Sequence, residues 1–416
     1  MLLLGAPSFA AEPMLVRAGK LIDVVSGRVL SDQIIRIDGE RIVAIANFQA
    51  SPNEKFIDWS AYTVVPGLMD MHTHLIGDIS SADIAAPLYS SAADDALHGV
   101  ENARRTLRAG FTTVRDVGCF RAFTDVALRK AIDGGIVEGP RMFVAGAYIT
   151  VSGGGGEVTG FAPDVAVPAE MRRGVANSET EIRQRVRELI SGGATFIKVI
   201  ATGAVLAAGT TPGASEYSEA EIHAAVDEAA QYGIFVTAHA HGAEGIKRAV
   251  RAGVRSIEHG SFLDDEGIAL MKKRGTWLVA DIYNGDYIAE VGRRDHWSEE
   301  IMRKNDETTL RQREGFAKAV KAGVPIAFGT DSGVYPHGDN GKQFVYMVRH
   351  GLSPLEALRA ATLNSAQLLA REQDIGSISV GKFADLVAVE GDPLADIDKL
   401  RQIRGVIKAG RQIRLD

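Results

Sequence analysis

Six glycines in this chain each stand between a helix-like stretch and a short apolar run that ends on a polar side chain. The runs are Gly110-Phe-Thr-Thr-Val-Arg-Asp116, Gly193-Ala-Thr-Phe-Ile-Lys198, Gly233-Ile-Phe-Val-Thr-Ala-His239, Gly253-Val-Arg-Ser-Ile-Glu-His259, Gly275-Thr-Trp-Leu-Val-Ala-Asp281 and Gly323-Val-Pro-Ile-Ala-Phe-Gly-Thr-Asp331. Glycine ends helices because it enters the left-handed region at least cost. Helix, glycine and buried strand in repetition predict an α/β fold, a (β/α)8 barrel of the TIM type. The C-terminal strand ends of such a barrel open onto one face, where side chains from distant parts of the sequence meet. Here those ends carry Lys198, His239, His259 and Asp331, and an earlier strand adds His72 and His74. The pattern predicts a metal site assembled from separate strands.

With 416 residues, the chain can hold a barrel of roughly 250 to 300 residues and a satellite domain. Hydrophobic residues at 46% and charged residues at 24% are the composition of an ordinary globular protein. A formal charge of -7 without a Lys/Arg run argues against nucleic acid or an anionic membrane as partner. No apolar stretch reaches the roughly 20 residues that span a bilayer. The single cysteine, Cys119, rules out an internal disulfide and a thiolate metal cluster, so a metal here needs nitrogen and oxygen ligands. Cys119 itself reads as a buried, inert thiol.

Residues 1–12 combine an apolar run with small residues at Ser8-Phe-Ala10 and read as a secretory leader or its remnant. The expected location is therefore periplasmic or secreted, with the cytoplasm as the alternative. Residues 13–63 and 373–416 carry short alternating strands, each set too thin for its own core. Their pairing into one small β-sandwich is expected, with the barrel, 64–372, inserted between them. Eight barrel strands are expected: Val64–His74, Thr112–Asp116, Arg141–Thr150, Phe196–Thr202, Phe235–His241, Ser256–Ser261, Trp277–Tyr283 and Pro325–Ser332. Ser178-Glu-Thr-Glu181 and Ser218-Glu-Ala-Glu221 mark helix starts, and Pro354 opens another. The long loop Val151–Val175, with Gly153-Gly-Gly-Gly156 near its start, breaks the rhythm in the way functional loops do.

His72 and His74 are two apart on a strand and so share a face. His239 and His259 each lie six residues past a glycine, at equivalent exits of successive strands. His241 shares the face of His239 and is a second candidate ligand. Asp331, ionised beside a cation, can take a proton from water. Lys198 among histidines would repel a metal as an ammonium. Burial beside cations lowers its pKa, and the neutral amine can react with carbon dioxide to give an anionic carbamate able to bridge two metals. Asp116 is read as structural, paired with Arg115, and Asp281 as either pocket lining or structure.

These runs resemble the amidohydrolase superfamily, in Pro66-Gly-Leu-Met-Asp-Met-His72-Thr-His74, Phe196-Ile-Lys198, Thr237-Ala-His239-Ala-His241-Gly, Ile257-Glu-His259-Gly and Gly329-Thr-Asp331. Gly376-Ser-Ile-Ser-Val-Gly381-Lys-Phe-Ala-Asp-Leu-Val387 is similar to its C-terminal segment. Within it the chain is similar to the imidazolonepropionase-related group of metal-dependent dipeptidases, carboxypeptidases and ochratoxin A amidohydrolases. The resemblance implies two divalent metal ions, zinc above all. His72 and His74 would hold one with Asp331, His239 and His259 the other, and carboxylated Lys198 would bridge them. It also implies a small amide substrate, a dipeptide or N-acyl amino acid, with ochratoxin A, cleaved to ochratoxin alpha and phenylalanine, as the sharpest single guess. His241, Tyr217, Tyr283 and Gly155 are the candidate substrate residues, the first three as donors to a carboxylate beside the scissile bond. Many relatives carry a histidine in the loop where this chain has Gly153–Gly156, so a different grip on substrate is expected. A homo-oligomer, an octamer among the sizes considered, is expected. A cyclic-amide hydrolase of the imidazolone type and a non-catalytic metal-binding protein are the alternatives.

Overall fold

The computed structural model describes residues 14–49, 55–76, 83, 85–162 and 164–415. The leader expected over residues 1–12 lies outside the described residues. The two ends of the chain do pair. Strands β1 (Met14–Asp23), β2 (Arg28–Asp38), β3 (Arg41–Asn47) and β4 (Ile57–Pro66) come from the N-terminal end. Strands β13 (Leu386–Val389), β14 (Ile403–Lys408) and β15 (Arg411–Ile413) come from the C-terminal end. They form one sheet in the order β15-β14-β13-β4-β1-β2-β3 rather than two separately ordered layers. The reason is β4, which needs both neighbours: it runs parallel to β1 and antiparallel to β13. The sheet curls until β3 meets the segment before β13, where Gly381 N–H donates to Ile42 O (2.8 Å) and Ile42 N–H to Lys382 O (3.0 Å). Val16, Ile35, Trp59, Leu386 and Ile407 fill the space inside.

Between the ends the chain alternates strand and helix. Strands β5 (Leu68–Thr73), β6 (Phe111–Asp116) and β7 (Arg141–Val144) form a parallel three-stranded sheet. Strands β8 (Tyr148–Ile149), β9 (Ile197–Ile200), β10 (Val236–Ala240), β11 (Ser256–His259) and β12 (Trp277–Val279) form a parallel five-stranded one. Residues 325–332 lie between them. Leu278 N–H donates to Pro325 O (2.9 Å) on one side, and His74 N–H donates to Ser332 O (2.7 Å) on the other. The helices Glu179–Gly192, Ala243–Ala252, Asp265–Arg274 and Glu299–Ala322 all end on a left-handed glycine, at Gly193, Gly253, Gly275 and Gly323. That is the punctuation visible in the sequence.

Two expected strands are broken, and a third, Pro325–Ser332, makes only isolated bridges, Ile326 to Leu278 and Ser332 to Thr73. Val64–His74 divides at Gly67 into β4 and β5. A Cβ at Gly67 would lie 2.1 Å from Thr112 Oγ1, so only glycine lets the chain pass from the terminal sheet to the next one there. Arg141–Thr150 divides into β7 and β8 around Gly146, whose φ is 79°. Among the described residues, no helix is long and apolar enough to cross a membrane.

Candidate active site

The side chains at the strand ends converge. Asp331 Oδ1 lies 3.3 Å from Nε2 of both His72 and His74. The ring centroids of His239, His241 and His259 are 4.5 to 4.7 Å apart, and His72 is 4.8 Å from His259. Among the described residues, two groups offer metal-ligating atoms within 4.8 Å of one another: His239, His241 and His259, and His72, His259 and Asp331. All of these side chains are buried, and Lys198 joins them at the same cavity.

The register explains how. Lys198 pairs with Thr237 and so sits one layer deeper than His239. His239 pairs with Glu258, and His259 pairs with Ala240. The two histidines are thus one step out of register, contrary to the expectation of equivalent exits. In a regular strand Glu258 and His259 would point to opposite faces. Here both reach His72, because His259 takes a left-handed backbone with φ of 67°. Asp331 does the same with φ of 58°. Non-glycine residues in that region are uncommon and concentrate where the surroundings over-determine them, as at active sites.

A second layer of partners aims the ligands. His72 Nδ1 is 2.9 Å from Glu258 Oε2, and His259 Nδ1 is 2.9 Å from Asp281 Oδ1. Carboxylates on Nδ1 leave Nε2 free for a metal, the arrangement common to metal-ligating histidines. Arg115, fully buried, donates to Glu258 Oε1 (2.7 Å), to Ser256 Oγ (2.9 Å) and to Met71 O (2.6 Å). Its expected partner Asp116 instead accepts from Leu75 N–H (2.6 Å). Asn284 Nδ2 donates to Asp281 Oδ2 (3.1 Å) and Asp331 Oδ2 (3.0 Å), tying the two carboxylates together. Tyr148 O–H lies 3.1 Å from His74 Nδ1 and 3.0 Å from Gly118 O.

Electrostatics match a cation site. Burial pushes the Lys198 amine down to about 8, which favours the neutral form that reacts with carbon dioxide. Burial also lowers His72 and His239, and takes His241 down to about 3, which favours their neutral, ligating form, whereas at His259 burial is outweighed by Asp281, which raises it. Burial alone would raise Asp331, yet the histidines beside it hold its carboxyl well below the usual range. An imidazole and carboxylate donor set without thiolate suits zinc and its first-row neighbours. The residues present therefore fit a divalent metal.

The cavity, about 190 Å³, is lined by these ligands, by Tyr148, Gly155 and Glu157, and by apolar Ile200, Val205, Leu206, Ile288 and Val334. Two expected substrate residues are elsewhere. Tyr217 is 1% exposed and donates to Ala176 O (2.7 Å), closing a loop rather than facing substrate. Tyr283 precedes the helix Asn284–Arg294 and packs its ring on Tyr335 and Tyr346, 5.0 and 5.3 Å away. His241 and Gly155 do line the cavity. Tyr217→Phe should cost about 1 kcal/mol of stability, because it orphans a carbonyl, and leave KM within about twofold. Denaturant midpoints and initial rates check this, and a large rise in KM would return Tyr217 to the site.

Glu258, Asn284 and Tyr148 were missed as site residues. Glu258 had a signal, since it adjoins His259 and alternates with the polar Ser256. Asn284 had none, because a polar residue at a helix start is commonplace. The Gly155 N–H is occupied by Glu216, at 2.9 and 3.1 Å from its two carboxylate oxygens. Burial pushes Glu216 up to about 7. The folded state then holds a proton that the unfolded state releases at roughly pH 4.3. This contribution to stability is complete below that pH and declines as pH rises towards about 7. Glu216→Gln should flatten that slope in a series of melting curves from acid to neutral pH. An unchanged slope would assign it to other groups.

An α/β chain with histidines, a carboxylate and a buried lysine gathered at its strand ends has the makings of a metal-dependent hydrolase. The amidohydrolase family model matches residues 63–413, and the chain belongs to that family, whose members of this kind act on C–N bonds. It is 30% identical to an ochratoxinase of Aspergillus niger over 430 residues, covering 95% of this chain and 85% of the relative. A crystal structure of a Xaa-Pro dipeptidase with methionine bound in its active site superposes with a TM-score of 0.90 at 40% identity, covering 97% of this chain and all of that one. A prolidase complexed with N-methylphosphonate-L-proline gives 0.88 at 32% identity, covering 97% and 99%. The chain is a metal-dependent amidohydrolase similar to prolidases and ochratoxinase.

Proposed function

We propose that the protein hydrolyses the amide bond of dipeptides or N-acyl amino acids at a binuclear zinc centre, in a carboxypeptidase- or prolidase-like reaction. One observation carries this reading: His259 belongs to both ligand groups, so two cation positions would adjoin within one cavity. His72, His74 and Asp331 would hold one ion and His239 and His259 the other, with Lys198, carboxylated by carbon dioxide, between them. The same reading closes β5 to β12 and residues 325–332, with β7 and β8 as one broken strand, into a (β/α)8 barrel, supported by the bonds of residues 325–332 to β5 and β12.

Bound there, the metals would make water acidic enough to yield a nucleophile near neutral pH and would polarise the scissile carbonyl. The chain's own groups do the rest. Asp331 accepts a proton from the attacking water at Oδ1 and delivers it to the leaving amine nitrogen. Asn284 holds Oδ2, which keeps Oδ1 turned towards His72 and His74. Glu258 and Asp281 fix the tautomers of His72 and His259. Among the described residues lining the cavity, Lys198 is the only Lys or Arg, so a substrate carboxylate would be met by His241 rather than by a guanidinium.

The test is a library of N-acyl amino acids and their carboxamides, with ochratoxin A included, assayed before and after metal removal. Zinc-dependent release of two products per turnover, faster for the free acids, is expected. Equal rates for acids and carboxamides would remove the carboxylate requirement, and a single ring-opened product would point to the cyclic-amide reaction. Tight ligand retention without product would make this a binding protein, and full activity after metal removal would end the proposal. Assembly into a homo-oligomer and export directed by residues 1–12 belong to the same reading. Light scattering and cell fractionation address them.

A further inference from the structure

One wall of the cavity has no part in the chemistry above. After β9, residues 204–208 run along it, and Val205 and Leu206 pack with Ile288 and Val334 into one apolar cluster. This strap is tied down at three points. Lys304 Nζ donates to Ala207 O (2.8 Å), Gly209 N–H donates to Glu300 Oε1 (2.9 Å), and Thr159 Oγ1 donates to Ala208 O (2.9 Å). Lys304 is 1% exposed and pairs with Glu300, one turn earlier on the helix Glu299–Ala322, at 2.6 Å. An ammonium is costly to bury, and a leucine or methionine would fill such a helix position without that cost. Here the charge and the length of the lysine serve to grip a strap carbonyl. The same helix brings Asn305, Thr308 and Thr309 to the cavity, so the strap is anchored to an element that also lines the site.

We propose that residues 204–208 are the specificity wall for a bulky apolar group beside the scissile amide. Lys304, together with Glu300, is the positioning residue that sets this wall. The inference rests on the amide-hydrolase reading for its substrate class. A polar or small substituent would bury little apolar surface against Val205 and Leu206, whereas an aromatic or branched one would add to the cluster they form with Ile288 and Val334.

The experiment compares N-benzoyl-phenylalanine with N-acetylglycine on the zinc-loaded protein and on three variants, Lys304→Met, Glu300→Gln and Leu206→Ala. Lys304→Met and Leu206→Ala should raise KM for the bulky probe about tenfold, with kcat within about twofold, and leave the small probe unaffected. Glu300→Gln should move in the same direction by a smaller factor. Calorimetric binding of both probes is measured in parallel. If neither probe is hydrolysed, the proposed reaction fails, while the same split in affinity still supports the wall. An equal loss for both probes, or no loss in any variant, overturns it. Should Lys304→Met fail to fold, Glu300→Gln and Leu206→Ala carry the same comparison.

Discussion

Asp331→Asn is expected to lower kcat by about 10³-fold while most of the bound metal remains. The asparagine keeps the size of the side chain and an oxygen near His72 and His74, so the cluster can persist. What it loses is the ability to accept a proton. The ordinary carboxylate range lies far above where this group is held, because two imidazoles adjoin its Oδ1. It is therefore held as the carboxylate, the form that can accept a proton, and because so low a pKa makes it a weak base, its donor must be a strongly acidified water. Metal analysis and single-turnover rates should be read on the same preparation. Near-parental turnover would remove Asp331 from the proton path, and loss of all metal would reduce it to a ligand.

Arg115→Met should destabilise the fold by about 3–5 kcal/mol, the usual cost of stranding one member of a buried ion pair. Arg115 and Glu258 are both fully buried, and the guanidinium is what offsets the burial of that carboxylate. Burial alone would raise the Glu258 carboxyl, yet Arg115 and His72 hold it far below its usual range. Without Arg115 the carboxylate would take up a proton and lose its hold on His72. Weaker metal binding should accompany the shift in denaturation midpoint. Replacing both residues, Arg115→Met with Glu258→Gln, should recover part of the stability because no uncompensated charge remains. A single variant within about 1 kcal/mol of the parent would mean that this pair does not support the site.

Much of the site was legible because barrel-like repetition turns spacing into position. Lys198, His239, His259 and Asp331 follow Gly193, Gly233, Gly253 and Gly323 by five, six, six and eight residues. The intervals stay short because a brief extended segment crosses the core in each unit, four residues in β9 and β11 and five in β10. His72 and His74 were visible through simple alternation. The substrate residues were less legible for an equally physical reason. Tyr283 lies shortly after β12 and Tyr217 just before the helix Glu219–Ala230, and a side chain at such a place turns towards the cavity or away from it according to the first turn of the following helix. The N-terminal turn of Asn284–Arg294 sends Tyr283 into an aromatic cluster and leaves Asn284 at the carboxylates.

Glycine punctuation, apolar runs and the polar residues that close them determined the α/β rhythm, the pairing of the two chain ends and the identity of the candidate ligands. Those features are local, or repeat with a fixed period, and a linear chain displays them directly. Only the tertiary structure decided that His259 sits one register step from His239 and recovers its place through a left-handed backbone. Only the folded chain joins Arg115 to Glu258, Asn284 to Asp331, and Lys304 to a strap almost a hundred residues away. Such contacts depend on which side chains remain after the backbone has closed around them, and burial then selects the charge pairs that can be satisfied there.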